Sequence, residues 1–156
     1  MMTLKKLIYA AAVTCGLASG AMAQVVNDCD WQSAAANLAE PWEENTRTFS
    51  EGRVRLALID TWEPASAAFH ILVLSPPDDE LGIRQCKMIS QTSSLGFTGI
   101  EFSMLEARYD PAIGLIFQVP GFEYANDGTD NTPIGLEFTL NQATGAITVE
   151  KFLNRE

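Results

Sequence analysis

Histidine is almost missing from this chain: His70 is the only one in 156 residues. Cysteine is nearly as scarce, with Cys15, Cys29 and Cys86 and no CxxC spacing, so the usual dithiol redox motif is absent. One imidazole and so few thiols leave too small a set of soft ligands for an ordinary zinc site, and no metal or cofactor is expected. Basic residues are also in short supply, 10 Lys and Arg against 20 Asp and Glu, for a formal net charge of −10. That balance argues against nucleic acid and against an anionic membrane surface, both of which would repel the chain. The acidic residues are scattered, with no block of the kind that marks an acidic tail. Also lacking are a phosphate-cradling glycine loop, a dinucleotide fingerprint, a helical metalloprotease motif and a nucleophile elbow.

What is present begins with a leader. Lys5 and Lys6 precede an uncharged apolar run, then the small residues Ala21, Met22 and Ala23, the pattern of a cleaved secretory signal over residues 1–23. Gly16, Gly20 and the small-residue site argue against an uncleaved membrane anchor. Thr14 and the shortness of the run before Cys15 argue against a lipid-attachment cysteine. The chain is therefore expected in the periplasm or outside the cell, without a membrane span after cleavage. Residues 24–156 have the size of one domain.

Loss of the leader removes Cys15 and leaves an even pair in an oxidising compartment. A structural disulfide between Cys29 and Cys86 follows. The pair would fasten the front of the chain to a central hairpin. That hairpin is built from a strand apolar on both faces (Phe69, Ile71 and Val73 against Leu72 and Leu74), a Pro and Asp loop, and a return strand on which Cys86 and Met88 share a face. Ahead of it, Asp30, Trp31, Ala35 and Leu38 predict a short helix over 30–38, capped by Asp30, closed by Pro41 and packing Trp31 on the sheet. Val54, Leu56 and Leu58 alternate with Arg55 and Ala57, which predicts a half-buried strand.

Beyond the hairpin, Ile100, Phe102 and Met104 carry an apolar phase that slips by one at Leu105, Ala107 and Tyr109, predicting a bulge near Met104 and Leu105. Two turns repeat one chemistry, Asp110 to Gly114 and Asn141 to Gly145, with Asp or Asn first and glycine fifth. Each suits a type I turn that ends in a left-handed glycine. With about eight candidate strands and hairpin-length connections, the fold class is mainly β, an antiparallel sheet closed as a barrel or split as a sandwich, with a strongly curved single sheet as a third form.

Four constellations are candidates for function. His70 could act as a general base only if folding brought it an acid such as Asp60 and a hydroxyl; otherwise it is a core histidine. Glu123, Asp127 and Asp130 lie in a loop over 121–133 that could hold calcium, but without the EF-hand spacing. Glu43 and Glu44, or Asp78 and Asp79, are sequence neighbours that point apart on a strand or sit wet in a turn, unlike a glycosidase pair. Trp42 and Trp62 each lie beside proline and carboxylate at a strand boundary, Glu40, Pro41 and Glu43 with the first, Glu63 and Pro64 with the second. Exposed, they would form an aromatic acidic shelf for a cationic or sugar ligand; buried, they would cover the core. The reading is a non-catalytic exported domain that binds an unidentified protein or small molecule or serves the envelope as an accessory. A hydrolase assembled around His70 and a β-barrel carrier of apolar ligands are the alternatives.

Overall fold

A computed structural model describes residues 24–124 and 131–152. The leader, with Cys15, and Asp127 and Asp130 of the acidic loop lie outside the described residues.

Among the described residues, ten strands, against about eight expected, form two antiparallel sheets of five. The first contains β1 (Val25–Asp28), β2 (Thr46–Phe49), β3 (Val54–Asp60), β4 (Phe69–Asp78) and β5 (Arg84–Ser90), in the order β1-β5-β4-β3-β2. The second contains β6 (Gly99–Ile100), β7 (Glu106–Asp110), β8 (Gly114–Glu123), β9 (Thr132–Leu140) and β10 (Ile147–Phe152). Its order is β10-β9-β8-β6, with β7 also pairing β8. The expectation of a mainly β antiparallel fold holds, but the barrel and the single curved sheet do not, because the strands divide into two sheets that share one core.

That core takes alternate residues from facing strands: Leu56 and Leu58, Ile71 and Val73, and Ile89 from the first sheet; Phe117, Val119, Leu136 and Phe138 from the second. The period of two puts the intervening residues of β3, β4 and β5 on the reverse face of the first sheet. There Ala57, Ile59, Leu72 and Met88 form a smaller buried cluster beneath Cys29, Leu38 and Cys86. The two greasy faces of β4 thus meet different partners, the second sheet on one side and the N-terminal segment on the other.

That segment corrects the predicted helix. Residues 30–38 form two short 3-10 turns, Trp31–Ser33 and Ala35–Asn37, and Asp30 makes no side-chain cap. The chain leaves β1 beside β5, where the Cys29 N–H donates to the Cys86 carbonyl, and arrives at the far side of β3, where Leu38 bridges Ile59. The crossing spans four strand spacings, roughly 19 Å. Nine residues of α-helix would cover only about 14 Å. Tertiary reach overrides helix propensity, and Trp31 is turned outward, 58% exposed, instead of packing on the sheet. Cys29 and Cys86 are joined by a disulfide with their Cα atoms 5.4 Å apart.

The predicted bulge is also replaced. The phase slip falls at a 3-10 turn, Phe102–Met104, that separates β6 from β7, and both short strands line the same edge of β8. A break permits the change of face that a bulge would have forced within one ladder.

Both glycine turns have the predicted handedness, with φ of 118° at Gly114 and 75° at Gly145. Asp110 accepts the Ala112 N–H at 2.8 Å, and Asn141 accepts the Ala143 N–H at 3.0 Å. A Cβ on Gly114 would collide with the Leu140 carbonyl oxygen. Gly114→Ala is therefore expected to lower stability by about 2 kcal/mol or more, read as a fall in the urea midpoint. Among the described residues, no helix is long and apolar enough to cross a membrane.

Candidate functional site

β3 ends at Asp60, and the way it ends builds a groove. The Asp60 carboxylate accepts the backbone N–H of Trp62 at 2.9 Å, an Asp-led turn that competes with continuation of the strand. Thr61 is buried, its N–H donating to the Ala68 carbonyl at 3.0 Å and its hydroxyl lying 3.0 Å from the Glu63 carbonyl. Between these fixed points Trp62 is held at φ 64°. Left-handed backbone at a bulky residue is rare and costs on the order of 1–3 kcal/mol. Its side chain is 71% exposed, although tryptophan is among the most buried residues on average.

Facing this loop is the tail of the N-terminal segment. Ala39 donates its N–H to the Leu58 carbonyl at 3.0 Å, and Leu58 donates to the Asn45 carbonyl at 2.9 Å, so the tail is stitched to β3. Between tail, strand end and loop lies a groove of about 340 Å³, with Leu38, Ala39, Leu58 and Phe69 as apolar lining, Glu40, Asn45 and Asp60 as polar lining, and Trp62 alongside them. Both carboxylates are at least partly accessible to solvent.

Of the two tryptophans singled out from sequence, the groove takes in Trp62. Trp42 is 55% exposed in the turn that follows Glu40, and is not among the groove-lining residues. Neither indole covers the core. The sequence pairing of tryptophan with acid is kept in altered form: Trp62 lines the groove together with Glu40, from the neighbourhood of Trp42, and with Asp60, which lies two residues before it. Leu38, Leu58 and Phe69 carried no signal of their own, because apolar residues of a predicted helix or strand read equally well as core.

His70 is elsewhere. It lies opposite Ile59, on the reverse face of the first sheet, whereas Asp60 lies opposite Phe69, and successive residues of a strand face opposite ways. The acid proposed for it is thus on the other side of the sheet. His70 is 5% exposed, and its Nδ1 meets the buried Ser90 hydroxyl at 2.8 Å. Among the described residues, no carboxylate is hydrogen-bonded to the ring. Burial holds its pKa below the ordinary 6.5 because desolvation penalises the imidazolium. An unfolded chain then binds a proton near pH 6.5 that the folded chain refuses until lower pH. Stability from this group is complete above 6.5 and is lost as pH falls from there towards the folded value. His70→Gln should remove that share of the slope. Urea midpoints of wild type and variant measured from pH 7.5 to 5 should converge on acidification, and parallel curves would contradict the assignment.

Glu123, the described member of the acidic loop, is committed to an ion pair with Lys151 at 2.6 Å, in a site 7% exposed. Sequence reasoning placed it in the loop; it ends β8. Among the described residues, no group of three or more His, Cys, Asp or Glu side chains is arranged to hold a metal. Glu43, Glu44, Asp78 and Asp79 are all exposed. Compared with known proteins, the chain matches no family model, no curated protein and no solved structure.

Proposed function

We propose that this chain is a non-catalytic binding domain that works in the periplasm or outside the cell, with the Trp62 groove as its ligand site. The observation that carries the reading is Trp62 itself, a large apolar side chain exposed to solvent on left-handed backbone beside a groove with an apolar floor. Exposure and strain at one residue both cost stability, and such costs concentrate at functional sites. The leader pattern and the Cys29–Cys86 bridge support the location. Intact mass of exported material should give a chain starting at Gln24, with no free thiol after unfolding.

The hydrolase reading loses support because its base is buried and its acid lies on the opposite face of the sheet. The apolar-carrier reading loses support because aromatic rings fill the space between the sheets: Phe117 and Phe138 stack with centroids 4.9 Å apart, and both are fully buried. The test is a panel of choline, glucose and decanoate, with binding read from backbone amide shifts. Shifts at Leu58, Asp60 and Trp62 that disappear in Trp62→Ala support the groove. Silence at those amides across the panel, or shifts that survive the substitution, would overturn it.

A further inference from the structure

We propose that the groove selects a small organic cation of the alkylammonium class, an inference that rests on the groove being the ligand site. Three properties of the lining converge on this chemistry. Its charged residues, Glu40 and Asp60, are both acidic, and lysine and arginine are missing from its lining. Trp62 presents an indole, whose face attracts a cation most strongly among the aromatic side chains. Leu38, Leu58 and Phe69 supply an apolar surface for the methyl or methylene groups of such a cation. An ammonium bearing carbon substituents is matched on all three counts, and the excess of acidic residues over the whole chain steers it inward.

The same lining disfavours the competing classes. A sugar needs donors as well as acceptors at its hydroxyls, and the lining side chains are poor in donors: one Asn45 amide hydrogen already goes to the Pro41 carbonyl at 3.2 Å, which leaves the other and the Trp62 indole N–H. A fatty acid would set its carboxylate beside two others. Size is not restrictive: about 340 Å³ has room for roughly ten non-hydrogen atoms at the volume water occupies in the liquid.

The experiment compares choline with 3,3-dimethylbutan-1-ol, which has the same shape and no charge, on the full mature chain. Amide shifts at Trp62 and Asp60 report binding. Choline should bind about tenfold more tightly than the alcohol, the sum of a cation–π contact and partly screened attraction to two carboxylates. Added salt should weaken choline binding and leave the alcohol unchanged. Glu40→Gln, a substitution at an exposed position, should weaken choline roughly threefold and narrow its advantage over the alcohol. Equal binding of the two probes at the groove would overturn cation selection and leave the groove as a ligand site. Binding of glucose or decanoate there, with choline silent, would do the same. If no probe shifts those amides, both readings fall together.

Discussion

Cys29→Ala with Cys86→Ala is expected to destabilise the domain by about 4 kcal/mol, seen as a lower urea midpoint. The bridge joins residues 57 apart, and closing a loop of that length removes about 4 kcal/mol of chain entropy from the unfolded state in the entropic model. Domains of ordinary stability have only 5–15 kcal/mol to lose, so the change is large. Its location adds a second consequence. The bridge pins the head of the segment that covers Ala57, Ile59, Leu72 and Met88, and the tail of that segment, through Leu38, Ala39 and Glu40, lines the Trp62 groove. Without the bridge the tail retains the Leu38–Ile59 pairing and the Ala39 hydrogen bond, short contacts that open more readily than a core strand. Faster amide exchange at Ala39 should therefore accompany the fall in midpoint. A loss below 1 kcal/mol, with unchanged exchange, would mean the segment holds itself in place.

The features that were legible in the sequence are those that local physics decides. Alternation in β3 and β4 and the Asp-to-Gly and Asn-to-Gly turns all follow from side-chain period and backbone freedom within a few residues, whereas the Pro and Asp loop begins later than expected, because β4 runs on through Pro76, Pro77 and Asp78. The disulfide was legible by counting. What failed depended on distance across the fold. Residues 30–38 have the spacing of a helix, but must cross a sheet too wide for one. The apolar slip after Met104 is a break, because β6 and β7 meet different parts of β8. Strand order decided between barrel and two sheets, and no local pattern encodes strand order. The groove was least legible of all: it joins Ala39, Asn45, Leu58, Trp62 and Phe69, brought together by the bridge from Leu38 to Ile59. Its local trace in the sequence was Trp62 beside Glu63 and Pro64 at a strand boundary, with Glu40 next to Pro41 and Trp42 at the other.

Phe117→Ala is expected to cost about 3–5 kcal/mol, and to do so by weakening the joint between the sheets. The ring is fully buried on β8, stacked on Phe138 of β9 and met edge-on by Phe49 of β2 at a centroid distance of 5.0 Å. Phe49 belongs to the first sheet, so this aromatic trio spans the interface. Truncation removes the transfer free energy of the ring and leaves a cavity that two flanking sheets, each held by its own hydrogen bonds, can only partly close. A double-mutant cycle with Phe49→Ala separates the inter-sheet share: a coupling of about 0.5–1.5 kcal/mol belongs to the edge-on pair, and the rest to burial. Leu81→Ala supplies the contrast, because Leu81 is 83% exposed at the tip of the β4–β5 loop and should change stability by no more than about 0.5 kcal/mol. If Phe117→Ala cost no more than Leu81→Ala, the two sheets would not share this core. The edge at which the Trp62 groove forms would then lack its support, because Leu58 of its lining belongs to the same packed cluster and Phe69 rests against it.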